Sequence, residues 1–176
     1  MAKSRKARLN GYYATIIILL IIIAALAYLY IQKSENQRVT VRATNLTSCK
    51  LRQFANCTDA SLRYANLAKL NLKDINFTLA DLMNSSFNDT GLSYANFHDA
   101  NLRFAKMIGA NFFDTYAYGA NLWFSNLSSI KLSNSNFTLA TLTAANLQNA
   151  TLINVNLSYA DLSYANLRNA TLIGTS

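Results

Sequence analysis

Two cysteines, one histidine, seven aspartates beyond residue 50 and ten asparagine sequons are the side chains of this sequence with chemistry to offer. Cys49 and Cys57 lie eight residues apart. In an oxidising compartment they would close a short loop as a disulfide; otherwise Cys57 is a small apolar residue suited to a core. Nothing signals a metal or redox centre, because there is no C-x-x-C and no H-E-x-x-H, and the single histidine, His98, reads as a solvated side chain. The sequence also contains no G-x-G-x-x-G, no Walker-type loop and no G-x-S-x-G. The aspartates stand where asparagine stands elsewhere in the same pattern, and no two are singled out as an acid–base pair. The expectation is a non-enzyme with no catalytic residues, cofactor, metal or small-molecule substrate. The sequons begin at Asn45, Asn56, Asn76, Asn84, Asn88, Asn126, Asn136, Asn149, Asn156 and Asn169. They are acceptors for N-glycosylation on a secretory-side surface, although a repeat that fixes the phase of Asn inflates their number.

These groups sit on a chain made of two unlike parts. The formal net charge is +8, but residues 1–50 hold eight Lys/Arg against Glu35 alone, whereas residues 51–176 hold eight bases against seven Asp. The basic character flanks an apolar run and does not describe the larger part, which argues against nucleic acid as a partner. No charge occurs from Leu9 to Gln32, and Ala14 to Ile31 is almost purely apolar. About 20 residues at about 1.5 Å each match the thickness of a hydrocarbon core, with Tyr12, Tyr13, Tyr28 and Tyr30 at its two edges. The spacing predicts a basic tail over 1–11, a membrane-spanning helix over 12–32 in contact with lipid, and a linker over 33–45. Lys3, Arg5, Lys6 and Arg8 put the amino terminus in the cytoplasm and the remainder on the extracytoplasmic side. The competing reading is a cleaved signal peptide ending near Ala25-Leu26-Ala27, but the apolar run continues past that point to Ile31.

The remainder repeats every five residues: YANLA, KLNLK, DINFT, LADLM, and later YADLS, YANLR, NATLI. From Cys57 to Leu172 a central apolar residue falls on every fifth position, giving 24 quintets, of which only Cys57 and Ala117 are not centred on Leu, Phe or Met. Two residues before each centre stands a small residue, most often Ala, and between them mostly Asn or Asp. Neither a helical period of 3.6 nor a strand period of 2 produces this, and a strict repeat over so many residues is the mark of a solenoid. The absence of proline suits a wall in which neighbouring coils need nearly every backbone N–H.

With its A(N/D)Lxx quintets running uninterrupted over 57–172, the sequence resembles the pentapeptide-repeat family. The resemblance implies an all-β solenoid, a right-handed quadrilateral β-helix of about six coils occupying 46–176, here preceded by one transmembrane α-helix. Quintets centred on Leu46 and Leu51 are out of phase with the rest, so residues 43–56 are expected to form an irregular first coil. Residues 20 apart then share a face, and one inner column reads Cys57, Phe77, Phe97, Ala117, Phe137, Leu157. Ala117 leaves room there, and Tyr116 or Trp123 is expected to cover it. Outside the centres at 62, 82, 102, 122, 142 and 162, one face collects Arg63, Tyr64, Met83, Arg103, Phe104, Trp123, Phe124 and Tyr164. An apolar stripe between two arginines is a candidate contact surface, the alternative being that bulky residues shield the coil corners.

The functional expectation is a single-pass, membrane-anchored, non-catalytic scaffold or protein-interaction rod, such as an accessory subunit of a larger membrane complex. Its protein partner or its own copies would bind the aromatic face or the open backbone edge of the C-terminal coil. The alternative is a component of an extracellular filament or surface layer. Some pentapeptide-repeat proteins mimic DNA and bind type II topoisomerases; that role needs an acidic rod, which residues 51–176 do not make.

Overall fold

The computed structural model of the protein describes residues 49–176. All of the described residues belong to a single compact unit. The basic tail, membrane helix and linker expected over 1–45, with Asn45, lie outside the described residues. Among the described residues no helix is long and apolar enough to cross a membrane.

One backbone conformation recurs every five residues. The second residue after each centre, from Phe54 to Gly174, has φ between 50° and 67°, and only three of these corners are glycine. An L-residue held in the left-handed region costs roughly 1 kcal/mol, less for Asn and Asp, whose short polar side chains tolerate it. The strain persists because each corner is tied to its neighbours. On three faces throughout, and on the fourth as far as Leu92, the N–H three residues past a centre donates to the centre's carbonyl, as Ala60 does to Cys57 (3.1 Å), which closes a β-turn.

Coils are joined by parallel pairing between residues 20 apart: Asn56 with Asn76, Ser61 with Asp81, Asn66 with Ser86, Asn71 with Gly91, and so on to Asn146 with Asn166. That offset makes four quintets per coil, so the 24 quintets form six coils. On the fourth face the ladder widens into true strands, β1 (Asn111–Phe113), β2 (Lys131–Ser133), β3 (Thr151–Ile153) and β4 (Thr171–Ile173), stacked in that order with Asn111, Lys131, Thr151 and Thr171 in register.

The asparagine before each centre has a definite task. The N–H of the residue after the centre is the one backbone donor that this turn and ladder leave over, and the Asn or Asp side chain accepts it. Asn96 takes the N–H of His98 at 2.9 Å, Asn121 that of Trp123 at 3.1 Å and Asp161 that of Ser163 at 2.9 Å. Where a hydroxyl replaces the inward alanine it is buried and satisfied by a carbonyl, as in Thr90 to Leu67 (2.9 Å), Ser125 to Leu122 (2.7 Å) and Ser135 to Phe112 (2.6 Å).

The core is the column of centres. From Cys57 through Leu152 all are buried, whereas in the sixth coil Leu157, Leu162 and Leu167 are half-buried and Leu172 is 50% exposed. Two expectations are corrected. The room beside Ala117 is not covered by Tyr116 or Trp123, whose side chains stand on the outer surface; it is taken up by the ring of Phe112 inside the coil. Regular geometry also starts earlier than expected, because Ala55 N–H already closes a turn onto the Arg52 carbonyl and Phe54 is already a corner. Arg52, and not Leu51, therefore occupies the backbone position of a centre.

Candidate interaction face

The second face consists of the outer residues around Leu62, Leu82, Leu102, Leu122, Leu142 and Leu162. Its inward leucines fix the outward direction of the two residues that follow, and the coil spacing of about 4.8 Å stacks those residues in columns. Phe104 thus lies over Phe124, rings 6.0 Å apart at 29°. Trp123 meets both edge-on, at 5.1 Å to Phe104 and 4.5 Å to Phe124. The Arg103 guanidinium sits 4.7 Å from the Trp123 ring centre and 5.8 Å from that of Phe104. A cation held over ring faces keeps its N–H groups directed outward while its own planar surface is shielded.

Toward the amino-terminal end of this face, Arg63 donates to the Asp81 carboxylate at 3.1 Å and lies 5.9 Å from the Tyr64 ring. The hydrogen bond to Asp81 raises the Arg63 guanidinium above its ordinary value. Met83 is half-buried between the two groups. Tyr164 stands apart, 92% exposed and without an aromatic partner among the described residues. The structure therefore unites Arg103, Phe104, Trp123 and Phe124, pairs Arg63 with Tyr64, and leaves Tyr164 alone. Asp161, before the last centre of the face, accepts from the Thr143 hydroxyl at 2.6 Å. Hydrogen bonds from Ser163 and then Thr143 lower its carboxyl to about 2.

Exposed aromatic surface is not confined to this face. Lys73 lies 5.2 Å from the Tyr94 ring, which packs edge-on against Phe113 at 5.7 Å. His98, expected to be solvated, is instead partly covered by Tyr118 (5.4 Å) and Tyr116 (6.0 Å), its Nε2 3.4 Å from the Asp99 carboxylate and its Nδ1 buried without a hydrogen-bond partner. The signal for both clusters was present in the sequence. Tyr94 and Phe113 are 19 residues apart, and His98 and Tyr118 are 20 apart, which a four-quintet coil brings together. Leu79 and Leu139 add exposed apolar corners on the first face.

Cys49 and Cys57 are joined as a disulfide, Cα atoms 4.8 Å apart, at the start of the described coils. Of the sequon residues, Asn56, Asn149, Asn156 and Asn169 are exposed, and Asn76, Asn84, Asn88, Asn126 and Asn136 are half-buried. Asn56, Asn76, Asn126, Asn136 and Asn156 use Oδ1 for the turn bond described above, and the threonines of the Asn56, Asn76 and Asn136 sequons donate to the same oxygen at 2.6–2.7 Å. Asn84, Asn149 and Asn169 are corners.

Comparison with known proteins gives a consistent pattern. The family model for pentapeptide repeats matches residues 42–78, 55–93, 95–134 and 135–174. No curated protein matches the chain. Among solved structures, HetL of the cyanobacterium Nostoc sp. strain PCC 7120, described as involved in heterocyst differentiation regulation, is 23% identical over 68% of this chain and 75% of its own, with a TM-score of 0.35. Rfr23 of the cyanobacterium Cyanothece 51142 is 24% identical over 61% and 64%, TM-score 0.31, and QnrB1, a plasmid-mediated fluoroquinolone resistance protein, is 12% identical over 70% and 82%, TM-score 0.37.

Proposed function

We propose, from the premise that this chain belongs to the pentapeptide-repeat family, that it is a non-catalytic interaction rod held at a membrane by residues 12–32 and docking a protein through its second face. The observation that carries the docking part is the Arg103–Phe104–Trp123–Phe124 cluster. A four-sided coil needs its inward leucines and its turn-capping asparagines; it does not need Trp and Phe on an outer wall. Phe124 is 52% exposed, so its apolar surface is still available for burial. Tryptophan, tyrosine and arginine are the residues that dominate binding energy where proteins meet.

The placement on the extracytoplasmic side rests on different features: the basic first eight residues, the disulfide between Cys49 and Cys57, and exposed sequons such as Asn149 and Asn169. The rod is then a spacer and docking subunit of a membrane assembly. The test is co-purification of the full chain from native membranes followed by mass spectrometry, which reports partner, amino-terminal cleavage and glycan mass together. Trp123→Ser with Phe124→Ser should release the partner while the β-rich far-ultraviolet spectrum is retained. Retention of the partner by that variant would sink the docking role of this face.

A filament or surface-layer role is the second reading, favoured by the further aromatic groups around Tyr94 and His98 on other faces, which offer more than one lateral contact. Electron microscopy of native membranes distinguishes the two, since ordered arrays belong only to the filament. The DNA-mimic role ranks last, because eight bases against seven aspartates leave residues 51–176 without the required acidic surface.

A further inference from the structure

The second face differs in charge at its two ends: an Arg63–Asp81 ion pair at one and an unpaired carboxylate, Asp161, at the other. Counting coils 1 to 6 by the centres Leu62 to Leu162, coil 1 presents Arg63 and coil 6 presents Asp161, which is exposed and ion-paired with no cation among the described residues. Arg63 leans across the face to the column before the centres, reaching Asp81 of coil 2 at 3.1 Å. Asp161 already belongs to that column and leans the other way, toward Thr143 of coil 5 at 2.6 Å. The Arg63–Asp81 ion pair thus lies between coils 1 and 2, and a carboxylate without a cation, Asp161, between coils 5 and 6. Coil 2 carries the bulkier pair Met83 and Asn84, coil 5 the smaller Thr143 and Ala144. The aromatic cluster of coils 3 and 4 stands midway.

The geometry points to a second copy of this chain as the occupant of this face, bound antiparallel about a two-fold axis that crosses the face between coils 3 and 4. The inference rests on reading the second face as a docking surface and narrows its partner to the chain itself. Such an axis sets coil 1 against coil 6, coil 2 against coil 5 and coil 3 against coil 4, and keeps each column opposite itself, as an isologous interface requires. Arg63 then meets the partner's Asp161, twice by symmetry, while its remaining N–H groups keep Asp81. Met83 faces the partner's Thr143 and Asn84 the partner's Ala144, large against small. At the centre Phe104 packs on the partner's Phe124, and Arg103 meets the partner's Trp123 as it meets its own.

The parallel alternative fails on charge. It puts both copies of Arg63 at one height and both copies of Asp161 at another, so neither carboxylate meets a cation. The face is about 24 Å long from first coil to last at about 4.8 Å per coil. With about three extended residues, or about 10 Å, across its width, the face covers about 240 Å², well short of the ~800 Å² per partner of a standard interface, so the pairing is reversible and of modest affinity.

Sedimentation velocity of the full chain in density-matched detergent, up to about 100 µM, tests this with two variants at exposed positions, Arg63→Asp and Asp161→Arg. The wild-type chain should form dimers, and each variant alone should dimerise at least tenfold more weakly because like charges then face each other. An equimolar mixture should recover the dimer, since one variant carries a carboxylate at both ends of the face and the other a guanidinium at both ends. Far-ultraviolet spectra check that both variants stay folded. A monomeric wild-type chain, a dimer indifferent to both substitutions, or a mixture no tighter than its parts would each overturn the proposal. If the chain is monomeric but Trp123→Ser with Phe124→Ser still releases a co-purifying protein, only self-pairing falls; if that variant releases nothing, the docking role falls with it.

Discussion

Phe112 fills the layer that Ala117 leaves empty. Ala117 is stacked between Phe97 and Phe137 in the column of the first face, and Phe112 enters from the fourth face with its ring 5.5 Å from Phe97 at 19° and 6.3 Å from Phe137. Both Phe112 and Ala117 are fully buried. One large residue thus compensates for one small residue across the boundary between two coils, and the interior stays filled.

Removing that ring opens a cavity the rigid coils cannot collapse into. Phe112→Ala is expected to cost about 3–5 kcal/mol and Ala117→Phe about 1–3 kcal/mol through overpacking. Joining the two changes should recover part of the loss, because the new ring occupies the vacated layer. Chemical unfolding of the two single variants and the double variant measures this; strict additivity would show that the two sites do not share one space.

Corner residues make opposite predictions by type. A Cβ on Gly119, at φ 65°, would collide with the Asp99 carboxylate one coil below, so Gly119→Ala should destabilise by about 1–2 kcal/mol. Leu139, an exposed corner at φ 59°, is the reverse case. Leu139→Asn should raise stability by about 0.5 kcal/mol by easing the left-handed strain. Denaturant midpoints of the two variants should therefore move in opposite directions.

The side-chain cap before each centre can be removed singly. Asn136 accepts both the N–H and the hydroxyl of Thr138, at 3.0 and 2.6 Å. Asn136→Ala orphans both donors and should cost about 1 kcal/mol, whereas Asn136→Asp retains the acceptor and should cost much less. Hydrogen exchange at Thr138 reads the difference, and equal exchange in the two variants would mean the cap contributes nothing.

Asp161 sets a pH dependence with a defined sign. Its carboxyl is lowered to about 2 by hydrogen bonds from Ser163 and Thr143, below the unfolded value of 3.8. A group depressed in the folded state contributes stability that is present above the unfolded value and is lost as pH falls through about 4 toward 2. Ser163→Ala with Thr143→Val should move the Asp161 titration, followed by carbon-detected NMR, back up toward the ordinary range.

Loss of the disulfide should act locally. Cys49→Ser with Cys57→Ser removes a cross-link closing a short loop, worth about 2–3 kcal/mol in the chain-entropy account. In a stacked array each coil touches only its neighbours, so the expected outcome is faster amide exchange over residues 52–60 with coils 3 to 5 unchanged. Uniform acceleration along the array would contradict that independence.

The period of five alone determined most of the architecture. Once every fifth residue from Cys57 to Leu172 is apolar and the residue two before it is small, the inward set, the outward set and the columns 20 apart all follow, since side-chain direction in extended backbone is set by sequence parity. The second-face residues were legible for the same reason. Contacts that depend on where side chains reach were not. That Phe112 turns into the space beside Ala117, that Arg63 crosses its face to Asp81, and that His98 lies under Tyr116 and Tyr118 are decided by rotamers chosen against neighbours in three dimensions. The capping role of Asn was hidden too, because only the completed ladder reveals which N–H it leaves unpaired. A repeat states which wall each side chain belongs to; only the packed coils determine what that side chain touches.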